Sequence, residues 1–164
     1  MNATIKKKKQ IIERLLRTAE ARLKEIKRAA KDARLRANEA EGAMQSRYDT
    51  FKEEGQNLAG GLKIREIELV DTVATMREIL AERIYEQTPA SIGLYTLVTV
   101  DFEDGEEKRY FIFPVFGGEV VLDSTMVVTP LSPIGRALLN DDDAFEVSVV
   151  INGQLRKGEI VDWS

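Results

Sequence analysis

The chain has no cysteine and no histidine among its 164 residues. Their absence excludes disulfides, thiolate or imidazole zinc sites, and catalysis by a cysteine nucleophile or a histidine base. Any chemistry it supports rests on carboxylates or on a partner. Long apolar runs are missing too. None approaches the roughly 18 residues of a membrane span, so no membrane segment is expected. After the basic start MNATIKKKKQ, residues Ile11, Ile12, Leu15 and Leu16 are broken up by Glu13, Arg14 and Arg17. No signal-peptide core follows, and a cytoplasmic location is expected. No proline precedes Pro89 and no glycine precedes Gly42, which leaves a long stretch free of helix breakers.

What is present is charge, unevenly spread. Residues 1–41 carry 13 Lys/Arg against 6 Asp/Glu, residues 42–88 carry 6 against 9, and residues 89–164 carry 5 against 13. The basic arm suits nucleic acid or an acidic protein channel, or simply a solvated helix whose charges pair with a returning one. Lys6 to Lys9 reads as a solvated helix start, with a nucleic-acid contact as the sharper alternative.

Periodicity says more. Ile5, Ile12, Leu16, Ala19, Leu23, Ile26, Ala30, Ala33, Ala37 and Ala40 recur at coiled-coil spacing, and Phe51, Leu58, Leu62, Leu69, Val73, Met76 and Leu80 continue it less regularly. The pattern predicts an antiparallel helical hairpin over residues 1–88 that bends near 41–45. Gly55, Gly60 and Gly61 weaken the second helix and are expected to let the partner backbone come close.

After Thr88-Pro89 the period changes from helical to alternating, which marks a second domain over residues 89–164 expected to fold by itself. Its strands are predicted at Leu94–Phe102, Lys108–Phe113, Met126–Thr129, Phe145–Ile151 and Gln154–Trp163. Ser132 reads as the N-cap of a short helix with Pro133 in its first turn, and Asn152-Gly153 suits a tight hairpin turn. Asp141-Asp142-Asp143 lacks the alternating ligand spacing of a calcium loop and reads as a charged turn. The fold class is therefore α+β: an N-terminal antiparallel coiled-coil hairpin and a small antiparallel β domain with one short helix.

The stretch VVTPLSPIGRALL, followed by DDDAFEVSVVINGQLRKGEIVDW, resembles the Ser-Pro-Ile-x-Arg-x-Leu helix and terminal hairpin of the bacterial Gre transcript-cleavage factors. Tyr48 and Lys52-Glu53 resemble a shorter motif of that family on the returning helix. The resemblance implies an FKBP-like C-terminal domain and a hairpin that enters the secondary channel of RNA polymerase, close to nascent RNA. It also implies two carboxylates at the bend, which help the polymerase hold a Mg2+ ion and position the hydrolytic water. Aligned on Tyr48, the first acid falls on Glu41 and the second on Met44, with Gly42 and Gln45 beside them at the partner-binding tip. Glu39 and Asp49 are possible substitute acids. Methionine is a poor magnesium ligand, so occupancy of the channel with weak or absent cleavage is expected. The protein is expected to have no enzymatic activity or cofactor of its own, at most stimulating the polymerase's cleavage, and to be a monomer. A non-catalytic interaction module with a rigid coiled-coil spacer and a different acceptor is the alternative.

Overall fold

A computed structural model describes residues 3–39, 45–87, 90–140 and 145–164, and side chains within these except for 37–39, 45–54 and 56. Two long helices come first, α1 (Ala3–Glu39) and α2 (Gln45–Glu82), followed by a one-turn 3₁₀ helix at Ile84–Glu86. The α+β reading holds. By internal contacts the chain divides into one compact unit of Met1–Leu15 with Glu78–Ser164, and another of Leu16–Arg77. Thr88 and Pro89, on which the sequence boundary was read, lie outside the described residues.

In the Leu16–Arg77 unit the two helices pack antiparallel. Glu20 on α1 accepts a 2.7 Å hydrogen bond from Arg77 on α2, and Lys27, Ala30 and Lys31 share a surface groove with Lys63 and Glu66. The midpoint between Glu20 and Arg77 falls near Tyr48. Ala19, Ala30, Val73 and Met76 are buried as the seam predicts, and Leu23, Ile26, Leu62 and Leu69 are half-buried. Leu58 departs from the expected seam and is 58 % exposed. The glycines also depart from expectation: a Cβ built on Gly60 or Gly61 meets nothing within 4 Å, so neither is needed for α1 to approach.

The other unit is built on a five-stranded sheet in the order β3-β2-β1-β5-β4, from β1 (Leu97–Phe102), β2 (Glu107–Ile112), β3 (Met126–Val128), β4 (Glu146–Ile151) and β5 (Gln154–Trp163). The sheet is mixed, not purely antiparallel as the sequence suggests, because β3 runs parallel to β2. Residues 113–125 are long enough to carry the chain back to the same end of β2 before β3 starts, which a tight hairpin turn cannot do. β1 begins three residues later than predicted because Tyr95 takes a left-handed φ of 64°. Its N–H donates to the Ile112 carbonyl at 2.7 Å. The Asn152-Gly153 turn has positive φ at both positions, 52° and 78°, as its composition requires.

One sheet face is closed by α3 (Pro133–Leu138), whose Ile134 and Leu138 join Val98, Val100, Phe102, Tyr110, Ile112, Val147 and Val149 in one core. On the reverse face Phe111, Phe113 and Val127 are fully buried, and in the same unit so are Ile11, Ile12, Leu15 and Tyr85 on the helix bases. A lone hairpin buries a single stripe. Burial of both Ile11 and Ile12 therefore means that the start of α1 is covered on more than one side.

Candidate functional site

The residues that the sequence nominates for the tip fall where little is described. Glu41, Gly42 and Met44 lie outside the described residues. Glu39 is the last residue of α1 and Gln45 the first of α2, with Tyr48 and Asp49 in its opening turns, but their side chains are outside the description as well. The structure neither gathers these residues nor separates them. Asp141, Asp142 and Asp143 also lie outside it. Among the described residues no three Asp or Glu side chains gather in a way that could hold a metal ion.

Three surfaces are described in full. The first is a basic face on α1. Lys24, Lys27, Arg28, Lys31 and Arg34 are linked by three- and four-residue steps, from 24 to 27 and 28, from these to 31 and from 31 to 34, so they share one side of the helix, and all five are exposed. Among the described residues none has an ion-pair partner. Five cations therefore lie within about 15 Å of helix at 1.5 Å per residue. Residues 1–41 show their excess of positive charge in sequence, but the structure is needed to show that these five have no ion-pair partner among the described residues.

The Lys6–Lys9 run behaves differently from a block of solvated charge. Lys7 reaches Asp123 at 3.0 Å and Lys9 reaches Glu13 at 3.7 Å. Lys8 is only 2 % exposed, beside Ile11 and Ile12 on the helix, and burial pushes its pKa down. The Lys7 ammonium in turn holds the Asp123 carboxyl below the usual carboxylate value. Most of this run serves the packing of the helix base, which leaves the basic face further along α1 as the surface free to meet an anion.

The second surface is the corner ahead of α3. The Ser132 hydroxyl accepts from the Gly135 N–H at 3.1 Å, capping the helix, and donates to the Thr129 carbonyl at 2.7 Å. A Cβ on Gly135 would sit 1.9 Å from that carbonyl oxygen, so only glycine fits. The corner is thereby locked, and it presents Leu131 to solvent at 78 % exposure.

The third is the exposed part of the reverse face of the sheet. Glu107, Asp101, Glu159 and Glu146 stand directly opposite one another across β2, β1, β5 and β4, and all are exposed. Like charges placed this way oppose folding, and Arg109 offsets one of them by reaching Glu107 at 3.3 Å. At the end of the neighbouring turn Arg156 donates to Asp104 at 2.6 Å and Glu106 at 2.8 Å, with its guanidinium 4.2 Å from the Phe102 ring centre.

No protein-family model matches the sequence, and no curated protein matches it. Among solved structures it is similar to the GreA factor homolog 1 (Gfh1) of Thermus thermophilus, with a TM-score of 0.39 and 19 % identity over 95 % of this chain and 94 % of that one. A second structure, of the transcription factor Gfh1, gives a TM-score of 0.38 and 20 % identity over 90 % and 92 %. The Gfh1 of Thermus aquaticus gives 0.38 and 18 % over the same shares.

Proposed function

We propose that the chain is a divergent regulator of the Gre type, one that binds RNA polymerase and inserts its helical hairpin into the secondary channel while stimulating transcript cleavage weakly or not at all. The observation that carries this reading is the corner at Thr129–Arg136. The stretch with the most specific sequence resemblance to the family is also the one with the most demanding local geometry, a capped turn that admits glycine alone at position 135. Rigid backbone under an exposed leucine holds an apolar contact in place before a protein partner arrives, which lowers the ordering cost of docking. In this reading Leu131 belongs to the surface that docks on the channel rim.

The basic face of α1 supports the same reading. Cations with no ion-pair partner among the described residues suit a passage lined with acidic side chains and occupied by RNA, and their attraction weakens with salt. At the tip, Glu41 offers one oxygen donor to a Mg2+ ion that the polymerase itself holds, and Met44 replaces the second. A thioether is soft and uncharged, so it neither coordinates magnesium nor orients a water.

Two measurements test this. Core RNA polymerase should be retained by the full chain and lost on Leu131→Asp. On backtracked elongation complexes the natural protein should give little cleavage, Met44→Glu should gain it, and Glu41→Ala added to Met44→Glu should remove the gain. Robust cleavage by the natural protein that survives Glu41→Ala would refute the tip assignment and point to Glu39 or Asp49. Failure to bind polymerase at all would favour an interaction module with another acceptor.

A further inference from the structure

Asn152 and Gly153 form the tip of the β4–β5 hairpin, and both are exposed. Strand pairing ends at Ile151 opposite Gln154, which leaves the Gly153 N–H outside the ladder. A Cβ built on Gly153 meets nothing within 4 Å, so nothing crowds the turn from that side. β4 is the last strand of the sheet and has only β5 beside it, so the tip is held by a single strand pair. An asparagine side chain carries an amide carbon, Cγ, that the next residue's backbone nitrogen can reach to close a five-membered ring. A side chain on that next residue hinders the approach, and glycine has none. The four other asparagines of the chain are followed by Ala3, Glu39, Leu58 and Asp141. Asn38 and Asn57 also lie within α1 and α2, where the following N–H is held in the helical ladder.

We propose that Asn152 is a site of spontaneous covalent modification, at which the Gly153 nitrogen attacks Cγ and the turn converts to an aspartyl or isoaspartyl form. The new N–Cγ bond forms as the bond from Cγ to the side-chain nitrogen breaks, and ammonia leaves with the proton that the Gly153 nitrogen gives up. Water then opens the succinimide at either carbonyl, with no change of oxidation state. Opening at Cγ leaves an aspartate. Opening at the backbone carbonyl leaves an isoaspartate, whose main chain runs through the side-chain carbon. Ring closure requires the tip to leave its paired conformation, and the end of a hairpin is where local opening is easiest. The two products differ in their effect on the fold. Aspartate tolerates the φ of 52° that Asn152 takes, so the turn survives. Isoaspartate adds a main-chain atom to a two-residue loop whose length sets the register of both strands, so the pairing of Ile151 with Gln154 is lost. Two residues further along β5, Arg156 is tied to Asp104 at 2.6 Å and Glu106 at 2.8 Å and lies over the Phe102 ring. That anchor confines the change to the tip. The chemistry goes beyond the proposed function and does not rest on it.

The full chain is tested alone, kept warm in neutral buffer for several weeks, then digested and read by mass spectrometry. The peptide carrying Asn152 should gain one dalton roughly tenfold faster than any carrying another asparagine, as the missing Cβ of Gly153 allows. Enzymatic methylation of isoaspartyl carboxylates should label the same peptide. An unchanged peptide, or a faster gain at Asn57 or Asn140, would overturn the proposal. Asn152→Gly keeps a sequence suited to the same turn and should abolish the label; undiminished labelling of that variant would refute the site. In the isoaspartyl form, amide exchange protection should vanish at Ile151 and Gln154 and stay at Val147 and Gly158. Protection lost along the whole of β4 would refute the confinement by Arg156. None of these readouts moves if the polymerase reading fails.

Discussion

Gly135→Ala tests the locked corner most directly. The new methyl carbon would lie 1.9 Å from the Thr129 carbonyl oxygen and 2.9 Å from the Ser132 hydroxyl. The first contact is with backbone, so relief requires moving the Thr129 peptide, which also accepts from the Ser132 N–H at 3.0 Å. Overpacking of this kind costs about 1–3 kcal/mol, and the lost N-cap adds about 1 kcal/mol. A total near 3 kcal/mol is expected. For a cooperative unit of about 100 residues that lowers Tm by roughly 12 °C or more. Trp163, the single tryptophan, stands in β5 of the same unit and reports its unfolding by fluorescence in urea. Gly60→Ala is the matched comparison, because the same methyl meets open space on a helix and should stabilise by about 0.5–1 kcal/mol. If Gly135→Ala unfolds within about 0.5 kcal/mol of the natural protein, the argument for a rigid corner fails, and with it the case for Leu131 as a pre-set anchor.

Leu15, 1 % exposed at the base of α1, should cost about 2–4 kcal/mol as Leu15→Ala, and tryptophan fluorescence should register the loss because that base belongs to the same unit as the sheet. Asp123 has its carboxyl pKa lowered by Lys7, so its contribution is complete above the unfolded value of about 4 and fades as pH falls through the lower folded value. Asp123→Asn, which tolerates the φ of 53° at that position, should erase this acid-side loss in melting curves recorded between pH 5 and pH 2. Replacing Lys27, Lys31 and Arg34 together with alanine should reduce the salt dependence of binding to single-stranded RNA by about 2 in log–log slope, and an unchanged slope would remove α1 as the anion surface.

Local rules were legible in the sequence, while features created by distant packing were not. Ser132 and Pro133 announce α3, Asn152-Gly153 announces its hairpin, and the spacing of Ala19, Leu23, Ile26 and Ala30 announces the helix seam, because each signal lies within a few residues. The parallel placement of β3 depends on how residues 113–125 travel, and no short pattern encodes that path. Ile11 and Leu15 fell outside the predicted stripe because that stripe assumed a single neighbouring helix. Lys8 read as solvated for the same reason. Tyr95 gives no hint of a left-handed backbone, a conformation more often taken by glycine or asparagine. Of the candidate site, the placing of an acid position at Met44 rests on the sequence resemblance alone, since Met44 lies outside the described residues. That Lys24, Lys27, Arg28, Lys31 and Arg34 have no ion-pair partner among the described residues required knowing where the described carboxylates go.

The acidic row across the sheet has a consequence for how the molecule meets a mixed population of anions and cations. Glu107, Asp101, Glu159 and Glu146 form a band four strands wide, which repels a phosphate backbone, whereas the proposed anion surface on α1 would attract one. Added salt should then have opposite effects on the two parts, relieving repulsion within the sheet while loosening whatever the helix has captured. On ion-exchange media, a chain with a net charge of only −4 should bind both resins, through the sheet face on one and through α1 on the other.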